Sequence, residues 1–330
     1  MQISAGTLSA AVAPPSPAAM TVSPPEPPSR PTDVIAARES WRPNLGTLGA
    51  DDARRAQNLV QRAAAGLASP YVIVNRNPAE AVALLEGSLT RLSTAHDKRT
   101  NPDDPRTPKN KAAAMRRRTK LEQRHGTLGE GAARGTTTYG TVAWDRSMPH
   151  KNGRVVPQLG AWRYGQAALV LKGDVLDRAT FLPHDSVSVA PGTRTSAREQ
   201  LIDVAVERLA RDFGFVDDLG HGGRPAPHIP EHTRLARQQR LLDILHARDD
   251  AALTAMRREL QTMPTNDRYV EAQIRGGVTV ADIAEIRIAD RPEMIPVWAR
   301  TPEMHQATAA AIDALEGAAK LHDIPVLRVR

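Results

Sequence analysis

The sequence of 330 residues contains no cysteine, few aromatic residues and no long apolar run. Without cysteine the chain cannot form disulfides, thiolate-ligated zinc sites or iron–sulfur clusters, and it has no thiol nucleophile. Aromatic residues make up only 3% of the chain, and no apolar stretch reaches the roughly 18 residues that a membrane-spanning helix needs. The sequence therefore predicts a protein without a membrane span and excludes the thiol-dependent classes of enzyme.

Several short motifs that mark nucleotide, hydrolase and metal sites are also absent. The sequence has no Gly-x4-Gly-Lys-Ser/Thr loop for phosphates, no Gly-x-Ser-x-Gly nucleophile turn and no His-Glu-x-x-His zinc helix. Its histidines are not spaced with carboxylates in the manner of a metal site. We therefore predict no bound metal.

Positive charge is concentrated in one part of the chain. The formal net charge is +7 and the isoelectric point is about 10.0, which is typical of proteins that bind nucleic acid. Residues 98–124 hold ten basic and three acidic residues, but no aromatic side chain that could stack on bases. We interpret this stretch as a solvated linker, which disfavours nucleic acid as a partner. A basic nucleic-acid-associated protein remains an alternative hypothesis.

The beginning of the chain has the composition of an unfolded segment. The first 31 residues contain eight prolines, and Glu26 is the only charged residue before Arg30. Such a segment cannot bury enough apolar surface to offset the entropy of folding. It also lacks the positive start and uninterrupted apolar stretch of a secretory signal. We predict a disordered tail over residues 1–48.

Residues 49–330 mix helical and strand patterns without a regular βαβ rhythm, which predicts an α+β fold. Residues 97–160 alternate charged clusters with Gly, Thr and Pro, and we interpret them as an irregular basic insertion. Helices are predicted at 51–67, 78–89, 196–213, 233–260 (in two pieces) and 302–321, and strands at 71–74, 167–172, 181–190, 269–274, 278–288 and 324–329.

Three segments, in this order along the chain, carry residues of chemical interest. Val-Asn-Arg-Asn-Pro follows the first predicted strand at residues 74–78; residues 164–188 run from Tyr-Gly to a Ser-Val-Ser triplet; residues 269–278 read Tyr-Val-Glu-Ala-Gln-Ile-Arg-Gly-Gly-Val. The second and third segments resemble those of toxin-like bacterial proteins of the mono-ADP-ribosyltransferase superfamily. The resemblance covers roughly residues 70–290. It implies a split, mixed β-sheet core with flanking helices.

The resemblance implies NAD as a substrate and a carboxylate on a late strand that stabilises the oxocarbenium-like transition state. Glu271 matches that position. Tyr269 and Gln273 lie two residues to either side, and alternation along a strand would place all three on one face. Tyr269 stands where the superfamily usually has Glu or Gln, which leaves open both the acceptor residue and the retention of activity.

The same resemblance implies a guanidinium for the dinucleotide phosphates and a hydroxyl on a middle strand. Arg76 matches the early arginine, with Arg163 and Arg178 as alternatives. The superfamily's Ser-Thr-Ser triplet is absent. The hydroxyl is therefore left open among three residues, which are Thr180, Ser186 and Ser188.

These features lead to one preferred function and to a second alternative besides the nucleic-acid-associated protein. The uncharged tail is similar to the amino termini of type III effectors, so we expect a secreted toxin or virulence effector, translocated into a host cell, that transfers ADP-ribose from NAD to a host protein. A secretion chaperone is a possible partner of the tail. The alternative is a non-catalytic effector that keeps the fold and binds a host partner. The enzymatic hypothesis requires Arg76 and Glu271 to face one cavity.

Overall fold

A seven-stranded mixed β-sheet organises the part of the chain that the computed structural model describes. This part belongs to one unit spanning Trp41–Arg330. The predicted tail, residues 1–48, and the whole basic stretch, residues 98–124, lie outside the described residues. The structure describes residues 49–93, 137–145, 147–149, 155–184, 196–213, 231–261, 269–290 and 302–329.

Nine strands are described, and seven of them form the main sheet in the order β6-β7-β2-β1-β5-β8-β9. Neighbouring strands are antiparallel except β8 and β9, which are parallel. Strands β3 and β4 form a separate antiparallel pair. The strands are β1 Tyr71–Arg76, β2 Thr138–Ala143, β3 Ser147–Pro149, β4 Val155–Pro157, β5 Ala167–Leu171, β6 Ala179–Leu182, β7 Glu271–Ile274, β8 Ile283–Ala289 and β9 Val326–Val329.

Six α-helices accompany the sheet in the described ranges. They are α1 Ala50–Ala65, α2 Pro78–Leu85, α3 Leu201–Asp212, α4 Glu231–His246, α5 Asp249–Gln261 and α6 Pro302–Lys320. The start of α2 is specified locally, since Asn77 accepts a hydrogen bond from the Ala79 amide at 3.0 Å and Pro78 occupies the first helical position. None of the described helices is long and apolar enough to cross a membrane.

Side chains alternate along the paired strands, and the two faces of the sheet differ in chemistry. On one face, which we call the helix face, Val72, Val74 and Ile274 share a large hydrophobic core with helix residues such as Leu59 and Leu209. On the other face, which we call the polar face, apolar residues form only a smaller cluster. Helix packing therefore supplies most of the buried apolar surface from one side of the sheet.

A short segment covers the middle of the polar face. Residues 155–165, which we call the strap, contain β4, a loop and a 3-10 turn at Trp162–Tyr164. Val156 and Leu159 of the strap pack against Ile73 of β1 and Val170 of β5 in the smaller cluster. The strap therefore covers the central strands, with Gly160 beside β2 and Gly165 against the end of β1.

The α+β class and the mixed sheet are confirmed, and most predicted elements are present near their expected positions. The prediction of an irregular insertion over residues 97–160 is wrong for its last part. Thr138–Ala143 is a central strand of the sheet, and β3 and β4 follow it. The sheet is also not split, since its seven strands are hydrogen-bonded without interruption.

Candidate functional site

A carboxylate and an amide lie side by side on β7. Glu271 and Gln273 are 4% and 1% exposed, and Gln273 Nε2 donates a hydrogen bond to Glu271 Oε1 at 2.7 Å. Successive strand residues alternate between faces, so residues 271 and 273 point to the same side. A buried carboxylate is costly unless it is hydrogen-bonded. The adjacent amide provides one such bond and orients the Glu271 carboxylate.

The neighbouring strands place hydroxyl-bearing side chains opposite this pair. Tyr139 and Thr141 of β2 are in register with Gln273 and Glu271, and Thr180 of β6 is in register with Gln273 from the other side. Residues directly opposite in a ladder share a face. The β6, β7 and β2 part of the polar face is therefore a patch of carboxylate, amide and hydroxyl groups.

Thr180 is the predicted hydroxyl that the structure brings to this patch. It is partly exposed, but its Oγ1 is buried and has no hydrogen-bond partner within the described part of the chain. A buried hydroxyl without a partner is unusual and leaves an acceptor and a donor available to a ligand. Ser186 and Ser188, the other two candidates, lie outside the described residues.

Tyr269 lies just before β7, which begins at Glu271. Tyr269 is buried, and the next residue, Val270, belongs to the helix-face core. The Val142 amide donates to the Val270 carbonyl at 2.9 Å, which continues the pairing of β2 with β7. Because Tyr269 lies in a bend before β7, the shared face is shown for Glu271 and Gln273 and stays a prediction for Tyr269.

Arg76 does not belong to this patch. Residues 72, 74 and 76 of β1 point to the helix face, and Arg76 is in register with Ala167, a member of the helix-face core. Its Nε pairs with Glu80 at 3.1 Å, and its Nη2 donates to the Ser93 carbonyl at 3.3 Å. The predicted sharing of one cavity by Arg76 and Glu271 is wrong, because the sheet lies between them.

The contacts of Arg76 indicate a structural role. Burial lowers the pKa of Arg76, while the Glu80 carboxylate acts in the opposite direction. Glu80 Oε1 also accepts a hydrogen bond from the Ser93 amide at 3.0 Å. Arg76 and Glu80 together hold the chain at Ser93, the last described residue before the basic stretch.

Of the two alternative arginines, Arg163 and Arg178, the structure describes the side chain of Arg178 only. The side chain of Arg163 lies outside the described parts of the structure. Arg178 donates to the carbonyls of Arg275 and Gly277 at 2.7 and 2.6 Å and pairs with Asp282 at 2.7 Å. Arg178 therefore fixes the turn that follows β7.

Sequence reasoning missed three residues of the polar face, Asn75, Tyr139 and Thr141. Tyr139 and Thr141 were assigned to the insertion, although the run Thr136–Trp144 is rich in Thr, Tyr, Val and Trp, which favour strands. Asn75 is the neighbour of the predicted Arg76 and lies on the opposite face. The strand content of residues 136–144 is the signal that could have found the first two.

The strap forms one wall beside these polar groups. Asn75 Nδ2 donates to the carbonyls of Leu159 and Gly165 at 2.8 and 3.2 Å. Gly160 has a φ of +59°, and a Cβ there would lie 2.6 Å from Asn75 Oδ1 and 2.9 Å from Thr141 Oγ1. Only glycine fits this close approach at this φ. The strap therefore reaches β2, the strand next to Glu271.

The groups of this patch are of the kinds that hydrogen-bond to hydroxyl groups. Glu271 accepts hydrogen bonds, and Gln273, Thr180 and Tyr139 both donate and accept them. Among the residues that the structure describes, no group of three or more His, Asp or Glu side chains is placed to hold a metal ion. A carboxylate beside hydroxyls suits recognition of a sugar.

No protein-family model matches the sequence, and no match is found among curated proteins. The resemblance to ADP-ribosyltransferases therefore rests on the residues of the sequence alone.

Proposed function

We propose that the protein transfers ADP-ribose from NAD to a host protein, with Glu271 as the carboxylate that acts on the nicotinamide ribose. The observation that carries the proposal is the buried Glu271–Gln273 pair on a late strand, flanked in register by Thr180 and Tyr139. The α+β class of the structure is compatible with an ADP-ribosyltransferase-like fold, which is part of the proposal. The form of the hypothesis that required Arg76 and Glu271 to face one cavity is dropped, and the proposal rests on Glu271 without Arg76.

The chemistry fits the groups on the polar face. The bond between ribose C1′ and the nicotinamide nitrogen breaks, and nicotinamide leaves with the bonding electron pair. Positive charge develops on the ribose, and the Glu271 carboxylate stabilises that charge while it accepts a hydrogen bond from a ribose hydroxyl. A nucleophile of the acceptor protein then bonds to C1′ and gives up its proton.

The remaining groups position the carboxylate and the sugar. Gln273 holds one oxygen of Glu271 through its amide. Thr180 Oγ1, across the ladder from Gln273, offers a hydroxyl to the same sugar. The dinucleotide phosphates would be bound by residues other than Arg76, because Arg76 lies on the helix face.

Glu271→Gln tests the proposal because it removes the charge and keeps the shape of the side chain. Wild type should release nicotinamide from NAD and label a protein in host lysate with tagged NAD. Glu271→Gln should lose about 100-fold or more of both activities with little change in melting temperature. Glu316→Gln makes the same chemical change on α6, far along the chain, and should keep full activity. Undiminished labelling by Glu271→Gln would overturn the assignment.

The position of Arg76 favours a second candidate, a non-catalytic effector that retains the fold and binds a host protein. An arginine engaged by Glu80 on the helix face cannot grip the phosphates of a dinucleotide bound on the polar face. Calorimetry with NAD separates the two candidates. Binding heat that disappears in Thr180→Val supports the NAD site, whereas wild type that gives neither heat nor nicotinamide release supports the non-catalytic effector.

A further inference from the structure

A buried guanidinium lies on the polar face, the same face as Glu271, but toward the opposite edge of the sheet. Arg287 of β8 is 1% exposed and is in register with Ala168, which pairs in turn with Asn75. Its Nε and Nη2 donate to the two carboxylate oxygens of Glu285 at 2.9 and 3.2 Å. This bidentate pair compensates the buried charge.

The rest of the guanidinium is directed at the strap. Arg287 Nη1 donates to the Gln158 carbonyl at 2.7 Å and to the Tyr71 hydroxyl at 3.4 Å. The guanidinium carbon lies 5.6 Å from the centre of the Tyr71 ring, within the range of a cation–π contact. Burial acts to lower the pKa of Arg287, but its hydrogen bonds to Glu285 and Tyr71 outweigh this effect and raise it. Arg287 is therefore held as a cation beneath the strap.

Two polar side chains of the sheet thus bind the backbone of the strap at three points. Arg287 binds the carbonyl of residue 158, and Asn75 binds the carbonyls of residues 159 and 165. The side chain of Gln158 in turn donates to the carbonyl of Gln261, the last residue of α5. The strap is therefore linked to the sheet on one side and to α5 on the other.

We propose that Arg287 is a positioning residue that fixes the strap as one wall of the Glu271 site. The inference rests on the proposed function, since that wall matters when a ligand occupies the polar face. Gly160 of the strap lies against Thr141, and Thr141 is in register with Glu271. A strap released at residue 158 would no longer hold Gly160 at a fixed distance from the strand that flanks the carboxylate.

Arg287→Lys tests this role with little change in charge or volume. A lysine ammonium cannot serve both Glu285 oxygens and the Gln158 carbonyl with the planar fork of an arginine. The matched control is Arg328→Lys on the adjacent strand β9, because Arg328 pairs with Asp313 and Glu316 rather than with the strap.

Two readouts are measured on the full chain. Hydrogen exchange of the backbone amides of residues 158–165 should become about tenfold faster in Arg287→Lys and stay unchanged in Arg328→Lys. The KM for NAD in nicotinamide release should rise about tenfold in Arg287→Lys, with kcat changed less than KM. Faster exchange of the strap with unchanged KM, or unchanged exchange, would overturn the inference.

Two further outcomes keep the test decisive. If Arg287→Lys does not fold, Glu285→Gln applies the same test, because it loosens the bidentate pair and leaves the guanidinium in place. If wild type releases no nicotinamide, the proposed function fails and the role of Arg287 at that site fails with it. The anchoring of the strap is then still decided by the exchange rates alone.

Discussion

Glu271 and Arg76 are both buried charged residues, but their partners give them different roles. Glu271 is 4% exposed and is bonded by a neutral amide, whereas Arg76 is 8% exposed and forms an ion pair with Glu80. An ion pair inside a core compensates both charges and has a structural role. The Gln273 amide orients the Glu271 carboxylate without supplying an opposite charge. Glu271 is therefore the candidate catalytic group, and Arg76 is a structural residue.

Arg76→Met should destabilise the fold by about 3 kcal/mol, because it leaves the partly buried Glu80 carboxylate without its cation. Urea denaturation measures this loss. The affinity for NAD, measured by calorimetry on the folded variant, should not change. Arg54→Met removes an exposed pair with Asp51 and should change stability by less than about 1 kcal/mol. Loss of NAD affinity in Arg76→Met without loss of stability would restore the phosphate role.

The Asp282 carboxylate stabilises the turn after β7, and the pH dependence of the stability lost in Asp282→Asn tests this role. Burial acts to raise the pKa of Asp282, but hydrogen bonds from Thr279 and Arg178 outweigh it, and the pKa lies below its usual value. A lowered pKa adds stability above the unfolded value of about 3.9, and this stability is lost as the pH falls through the folded value. Asp282→Asn should therefore cost about 1 kcal/mol at pH 7.

The difference in stability between wild type and Asp282→Asn should shrink as the pH falls below about 4. Urea titrations at pH 7 and pH 3 measure it. Asp174→Asn is the control, since Asp174 is exposed in the nearby 3-10 turn and should show little effect at either pH. A difference that is equal at both pH values would show that the carboxylate charge does not hold the turn.

Two glycines, Gly160 and Gly165, allow the strap to lie close against the sheet. Gly165 lies against the end of β1, and its carbonyl accepts a hydrogen bond from Asn75. A Cβ at residue 165 would overlap the carbonyl group of Arg76 and the amide of Asn77. The backbone at this point cannot yield without breaking the pairing of β1 with β5. The Tyr-Gly segment is therefore explained by packing of the strap.

Gly165→Ala should destabilise the protein by about 3 kcal/mol or more, a loss typical of overpacking against backbone. Chemical denaturation followed by tryptophan fluorescence measures the effect. Gly173→Ala is the matched control, because open space surrounds that position, and it should change stability by less than about 1 kcal/mol. Equal stability of both variants would contradict the close approach of the strap to β1.

Local sequence patterns predict the helices and strands, whereas pairing between distant strands decides which residues form the candidate site. The helices and most strands follow from apolar spacing, and β7 with its Glu271 was located within two residues. The pairing of Glu271 with Thr141 could not be predicted, because it joins segments far apart in the chain. β2 was not predicted, because its residues were grouped with the neighbouring charged stretch in one irregular insertion.

The face of Arg76 could not be predicted for a different reason. Residues 72 to 76 are buried on both sides of the sheet, so β1 shows no alternation of polar and apolar residues. A strand buried on both faces does not reveal which of two adjacent polar residues points to which side. Only the register of β1 with β5 shows that Asn75 points to the polar face and Arg76 to the helix face.

The position of β7 between β2 and β6 also sets the order in which the protein can be assembled during synthesis. Both partners of β7 leave the ribosome long before Glu271 does, and β2 then presents an open edge on the side where β7 will pair. A chain arrested before residue 271 would expose that edge together with the Thr138–Ala143 backbone. Translation of residues 271–274 is thus the step that both completes the polar face and covers the open edge of β2.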